Sequence, residues 1–220
     1  MSGLLIAERP AAGAPDGLLV LHHGRGSDER DLLPLGDALD PQRRLHLVTP
    51  RAPLQPEGSR GYHWYLVPRV GYPDPATFNA AFTALAALHD ELWQRTGIGP
   101  ERTILGGFSM GSVMSYALGL HATRPAPAGI LAFSGFVPSV EGWQADLAGR
   151  AQLPVFIAHG DRDQVIDVRF ARDAARSLTQ GGLAVDYHES HAGHHVEPAQ
   201  LPAAAAWLAD RILPAGPTGS

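Results

Sequence analysis

Short apolar runs, each ending in a loop rich in glycine, proline, histidine or aspartate and most leading into a helical pattern, set the strongest limit on how this 220-residue chain can fold. Leu18-Leu19-Val20-Leu21-His22 is the plainest of them, an unbroken run of the kind that marks a strand buried on both faces. Leu45–Thr49, Thr103–Leu105, Gly129–Phe133, Pro154–His159 and Leu183–Glu189 read as further strands, and Leu4–Glu8 as a first edge strand. Parallel neighbours need a helix-length crossover, so this alternation predicts an α/β chain with a mostly parallel sheet and helices on both faces.

The expected helices have readable ends. One covers Asp28 to Leu39, kinked or broken at Pro34. Asp74-Pro75 supplies an N-cap and a first-position proline to a helix with Phe78, Phe82, Leu85, Leu88 and Leu92 on one face, ending near Gly97. Asp167 is expected to cap a helix carrying Ala171, Ala174, Ala175 and Leu178 on one stripe, stopped by Gly181-Gly182. The last helix spans about Glu197 to Ile212, and residues 213–220 read as a flexible tail. No linker or internal repeat interrupts the pattern, so residues 1–220 are expected to form one domain. The exception to periodicity is Arg51 to Pro75, rich in proline, glycine and aromatics (Tyr62, His63, Trp64, Tyr65, Tyr72); a loop of that length inside a compact domain is usually functional.

A net charge of −5 without a basic run argues against nucleic acid as a partner. The chain has no cysteine, which excludes disulfides, thiolate metal sites and a cysteine nucleophile. No basic leader precedes the short Leu4-Leu5-Ile6 run, and no stretch of about 18 apolar residues occurs, so neither a signal peptide nor membrane insertion is expected. A soluble cytoplasmic protein is the default expectation.

The chemistry gathers in loops that follow strands, where ligands sit in sheets of this kind. Gly107-Phe108-Ser109-Met110-Gly111 lies between a strand and the helical pattern Ser112 to His121. That is the setting of a G-x-S-x-G elbow, in which a serine sits on a strained turn flanked by residues without a Cβ. An Asp-bearing turn, His159-Gly160-Asp161-Arg162-Asp163, and a His-rich turn, His191 to His195, come later. The order Ser…Asp…His is that of α/β-hydrolases. A serine hydroxyl needs an imidazole to take its proton and a carboxylate to fix the imidazole tautomer. From local physics alone either Asp161 or Asp163, and either His194 or His195, fits; a metal reading of the histidine cluster lacks an H-E-x-x-H pattern. The other histidines at strand ends, His22, His23 and His159, read as packed and hydrogen-bonded, and Ser112, Ser115 and Ser134 as structural.

Over nearly its whole length the sequence resembles the phospholipase/carboxylesterase family of α/β-hydrolases, which includes acyl-protein thioesterases. The carriers are Leu21-His22-His23-Gly24-Arg25-Gly26, the Ser109 elbow, Ser134-Gly135-Phe136-Val137-Pro138, His159 to Asp163 and Gly193-His194, with Pro50-Arg51-Ala52-Pro53 and Trp64. The resemblance implies an α/β-hydrolase fold, Ser109 as nucleophile, Asp163 as the acid, His194 as the base, and no cofactor or metal. It also places the main-chain N–H groups of Met110 and Arg25 in an oxyanion hole. Trp64 and Phe136 are the expected substrate-binding residues. Asp161 is expected to bond turn amides. One departure stands out: those thioesterases usually carry glutamine where this chain has Met110, which leaves the reaction class intact and the substrate open.

The short segment between Phe133 and Pro154 leaves no room for a large cap, so an open groove partly shaded by the 51–75 loop is expected. The reading is a serine carboxylesterase for short- to medium-chain esters, with a small-molecule ester as partner and a homodimer as a further expectation. Lysophospholipid or protein-thioester cleavage is the alternative. A dienelactone hydrolase would use the cysteine this chain lacks, and a catalytically silent scaffold normally loses a triad member.

Overall fold

The computed structural model describes residues 3–211. Seven strands, Ile6–Arg9 (β1), Gly17–His22 (β2), Leu45–Pro50 (β3), Thr103–Phe108 (β4), Gly129–Phe133 (β5), Pro154–Gly160 (β6) and Ala184–Ser190 (β7), form one sheet in the order β1-β3-β2-β4-β5-β6-β7. β1 is antiparallel to β3, and every other neighbouring pair is parallel. Five helices accompany them: Leu33–Leu39 (α1), Pro75–Thr96 (α2), Met110–Leu120 (α3), Arg169–Gln180 (α4) and Leu201–Arg211 (α5).

The unbroken apolar strands are explained by two cores. Along β2, Leu18 and Val20 point into the core beneath α2, α3 and α4, while Leu19 and Leu21 point into the core beneath α1 and α5. Each such aliphatic side chain contributes about 1.5–3 kcal/mol when fully buried. The chain builds outward from β2 to β3, then crosses back to β4 on the other side. The crevice at the carboxyl ends of β2 and β4 is therefore the topological switch point, where α/β sheets place their ligands.

α2 is bounded as its sequence suggests. The Asp74 carboxylate accepts the Thr77 N–H at 2.9 Å, Pro75 is the first helical residue, and Gly97 closes the helix in the left-handed conformation. Elsewhere the elements shift. α1 starts at Leu33 rather than Asp28, because Pro34 belongs in a first turn, where its missing N–H costs no hydrogen bond; it begins the helix instead of breaking one. Asp167 lies one residue ahead of the α4 N-cap, Val168, and its carboxylate accepts the Arg169 N–H. β1 starts two residues later than expected, Phe82 is only half buried, and β4 continues through Gly106-Gly107 because it is paired on both sides. Between β5 and β6 the chain forms only a short turn of 3-10 helix, Ala148–Arg150, so the described residues contain no large cap. Among them no helix is long and apolar enough to cross a membrane. The expected tail and Ile212 lie outside the described residues.

Candidate active site

β4 delivers Ser109 to the switch point. The residue has φ 54° and ψ −119°, a conformation that is costly for a residue with a Cβ and persists where the surroundings impose it. Gly111 shows how tightly they do: a Cβ there would lie 1.9 Å from the His22 carbonyl oxygen. Ser112 locks the turn from behind, its Oγ within 2.6 Å of the Gly107 carbonyl and 2.7 Å of that of Phe133 while accepting the Phe133 N–H. Ser109 itself donates its N–H to the Phe133 carbonyl at 2.8 Å.

Two later strand ends bring the partners. His194, in the loop after β7, places Nε2 2.9 Å from Ser109 Oγ and Nδ1 2.7 Å from Asp163 Oδ2. Asp163, after β6, has a fully buried side chain. Its other oxygen accepts the N–H groups of Val165 and Ile166, each at 2.8 Å. Burial on its own would raise the Asp163 carboxyl; the His194 hydrogen bond and the two turn amides outweigh it and hold the group below its ordinary value. The buried His159 ring closes the far side, donating from Nε2 to the Ile166 carbonyl at 2.8 Å and lying 3.3 Å from Asp163 Oδ2. Burial lowers the His159 pKa, which favours its neutral form.

The competing residues are elsewhere. His195 has a side chain that is 56% exposed and turns to Glu197, 3.4 Å away. Asp161, expected to bond turn amides, instead meets the exposed ring of His191 at 2.6 Å. His22, His23 and His159 are packed and hydrogen-bonded: His22 with Ser115 Oγ, His23 with the Gly24 carbonyl and the Ala52 N–H, His159 as above. Among the described residues no group of three or more metal-ligating side chains is placed to hold an ion.

Arg25 follows β2 and Met110 opens α3, so both main chains border the crevice. Neither N–H has an acceptor among the described residues. For Met110 that follows from its position, since the first N–H groups of a helix lack intrahelical partners. Both residues line the cavity that holds Ser109.

A cavity of about 350 Å³ opens over Ser109, Met110 and His194. Phe136 lines it, as expected, together with Tyr65, Val67, Val70, Val165 and Ile166. Trp64 does not: it is fully buried, behind the wall, with its indole N–H donated to the His23 carbonyl at 2.9 Å. Its expected place on the wall is taken by its neighbour Tyr65, which borders the cavity where the chain bends at residues 64–65. The aromatic loop thus divides its labour, with Tyr65 and Tyr72 bordering the cavity and Tyr62 and Trp64 packing beneath it. Sequence reasoning does not single out Val67, Val165 or Ile166 as wall; the nearest signal is that the last two follow Asp163 by two and three residues.

Comparison with known proteins fits this geometry. A phospholipase/carboxylesterase family model matches residues 9–212. The acyl-protein thioesterase 1 of Yarrowia lipolytica is 30% identical over 173 residues, covering 71% of this chain and 74% of its own. The lysophospholipase-like protein 1 of Mus musculus is 25% identical over 201 residues, covering 87% and 83%. Among solved structures, that of esterase PE8 superposes with a TM-score of 0.81 at 33% identity, covering 96% of this chain and 99% of its own. The chain therefore belongs to the phospholipase/carboxylesterase family, carboxylic ester hydrolases built on the α/β-hydrolase fold.

Proposed function

We propose that the protein is a serine carboxylesterase that hydrolyses short- to medium-chain carboxylic esters through an acyl-enzyme. Ser109 attacks the ester carbonyl while His194 takes its proton, and Asp163 holds the imidazole in the tautomer with hydrogen on Nδ1. The Met110 and Arg25 amides stabilise the tetrahedral oxyanion; one such donor typically contributes a factor of about 10²–10³ in rate. Protonated His194 gives its proton to the leaving alcohol, then activates the water that releases the acid. The observation that carries this reading is the chain of two hydrogen bonds from Ser109 Oγ through His194 to buried Asp163. No step in it calls for a cofactor.

The cavity volume, at the lower end of the roughly 300–1,000 Å³ of small-molecule sites, supports a modest acyl group. Exposed Val70, Tyr72 and Val165 extend apolar surface past the mouth, and that favours a second reading, cleavage of lysophospholipids or protein thioesters with longer chains. A series of p-nitrophenyl esters from acetate to palmitate separates the two. The proposal expects kcat/KM to peak at or below about eight carbons and to vanish in Ser109→Ala. A maximum at sixteen carbons would favour the second reading, and hydrolysis surviving in Ser109→Ala would end both.

A further inference from the structure

The long 51–75 loop touches the oxyanion segment at more points than pocket lining requires, and Trp64 is at their centre. Its indole Nε1–H donates to the His23 carbonyl at 2.9 Å, and its own main-chain N–H donates to Met110 Sδ at 3.2 Å. Its ring packs edge-on against His22 at 5.7 Å between centroids and tilted against His23 at 5.2 Å. One residue therefore binds both stretches that carry the proposed oxyanion donors, the His23-Gly24-Arg25 turn after β2 and the first residue of α3.

The neighbouring loop residues complete the grip. Ala52 N–H donates to His23 Nε2 at 3.0 Å, while the other ring nitrogen of His23 donates to the Gly24 carbonyl at 2.7 Å. On the far side of Arg25, the Gly26 N–H donates to the Tyr62 carbonyl at 2.9 Å and the Tyr62 N–H to the Ser27 carbonyl at 2.8 Å. Gly61 makes this approach feasible, since a Cβ there would lie 1.8 Å from the Gly26 carbonyl oxygen. Arg25 is thus held between anchors at residue 23 and residue 26, both supplied by the loop, whereas its own amide is left unpaired.

We infer that Trp64 is a positioning residue of the oxyanion hole, fixing the Arg25 and Met110 amides relative to each other, and that the Met110 thioether is the acceptor through which it does so on the α3 side. The inference rests on the serine-esterase reading and adds to it a role for the loop and for the Met110 side chain. It also accounts physically for the residue after the nucleophile: any side chain that reaches the Trp64 N–H with an acceptor satisfies a buried donor there, and a thioether sulfur is a weak but adequate one. Preorganised donors lose catalytic value when displaced by a fraction of an ångström, so the effect belongs in kcat rather than KM.

The test uses two substitutions that each remove one bond. Trp64→Phe keeps most of the ring and loses the indole N–H; Met110→Leu keeps the bulk and the main-chain donor and loses the sulfur. With p-nitrophenyl butyrate, Trp64→Phe is expected to lower kcat about 10- to 100-fold and Met110→Leu about 3- to 10-fold, each with KM within twofold of wild type. Met110→Gln, which restores an acceptor, should return kcat to within about threefold of wild type. Hydrogen exchange followed by mass spectrometry should show faster exchange in the peptide containing Gly24 and Arg25 in Trp64→Phe, with β5 unchanged. That readout does not depend on chemistry, so it scores the positioning claim even if Ser109→Ala proves the esterase reading wrong. Unchanged kcat and unchanged exchange in Trp64→Phe would overturn the inference, as would a lower kcat that comes with a lower melting temperature and no local change in exchange. Should Trp64→Phe fail to fold, Met110→Leu with wild-type kcat overturns it on its own.

Discussion

Replacing Asp163 by asparagine isolates the role of one charge. Asp163 Oδ1 accepts two N–H groups from the following turn, at 2.8 Å each, and Oδ2 faces His194 Nδ1 at 2.7 Å. The asparagine carbonyl must stay on the turn amides, since flipping it would set an NH₂ group against two other donors. Its NH₂ then points at His194 Nδ1 and forces that nitrogen to accept. Hydrogen moves to Nε2, which at 2.9 Å now donates to Ser109 Oγ instead of receiving its proton. Loss of the correct tautomer costs roughly 10³–10⁴-fold in other serine hydrolases, about 4–5.5 kcal/mol of transition-state stabilisation. Both turn bonds survive, so the melting temperature should fall by no more than about 5 °C. Hydrolysis of p-nitrophenyl butyrate and a thermal melt on the same samples give the two numbers. Asp161→Asn, which alters only the exposed pairing with His191, should stay within about threefold of wild type. Activity in Asp163→Asn above a tenth of wild type, or an equal loss in Asp161→Asn, would refute the reasoning.

Other consequences are simpler to state. His194→Ala should abolish turnover, whereas His195→Ala, whose ring faces solvent and Glu197, should keep at least half of it; initial rates on one ester decide. Ser112→Ala removes the hydroxyl that joins the Gly107 and Phe133 carbonyls and the Phe133 N–H beneath the elbow and should cost about 0.5–1.5 kcal/mol in a urea titration; no loss would contradict the anchoring role. His22 and His89 stack at 5.6 Å in the core. Burial lowers both, helped by the neighbouring His89 and His23 rings at His22 and by Arg124 at His89: His22 well below its ordinary value, His89 down to about 3. Their folded-state values lie below the unfolded one, so their neutral forms stabilise the fold fully above about pH 6.5. That stability is lost as pH falls below it, by about 1.4 kcal/mol per pH unit for each ring. Urea midpoints between pH 7.5 and 5 should show this slope, and His89→Leu should flatten it; equal slopes would count against the account.

The α/β architecture was legible because β2, β3, β5 and β6 are buried on both faces and so lack polar alternation. Ser109 was legible because the elbow needs glycines at fixed offsets, and Gly111 has no space for a Cβ. Choosing Asp163 over Asp161 and His194 over His195 depended on family resemblance. Local sequence cannot say which of two adjacent rings, or of two carboxylates two residues apart, turns inward; the structure separates them by burial and by partner. Pro34 misled through its ambiguity, since proline both ends helices and begins them. Trp64 misled because an aromatic in an aperiodic loop carries no period, and its turn away from the cavity that Tyr65 borders emerges only once the segment runs beside Ser27 and Met110. The substrate is the least legible feature, because the wall is assembled from the 65–73 loop, the turn after β5 and the turn after β6.

The central claim is that Ser109 becomes acylated. Wild-type protein mixed with a slow-turnover p-nitrophenyl ester and quenched in acid should carry one added acyl mass. Peptide mapping should place it on the segment from Thr103 to Leu120, at Ser109, and Ser109→Ala should carry none. An adduct on another residue, or full turnover with no adduct under conditions where deacylation is limiting, would contradict the account.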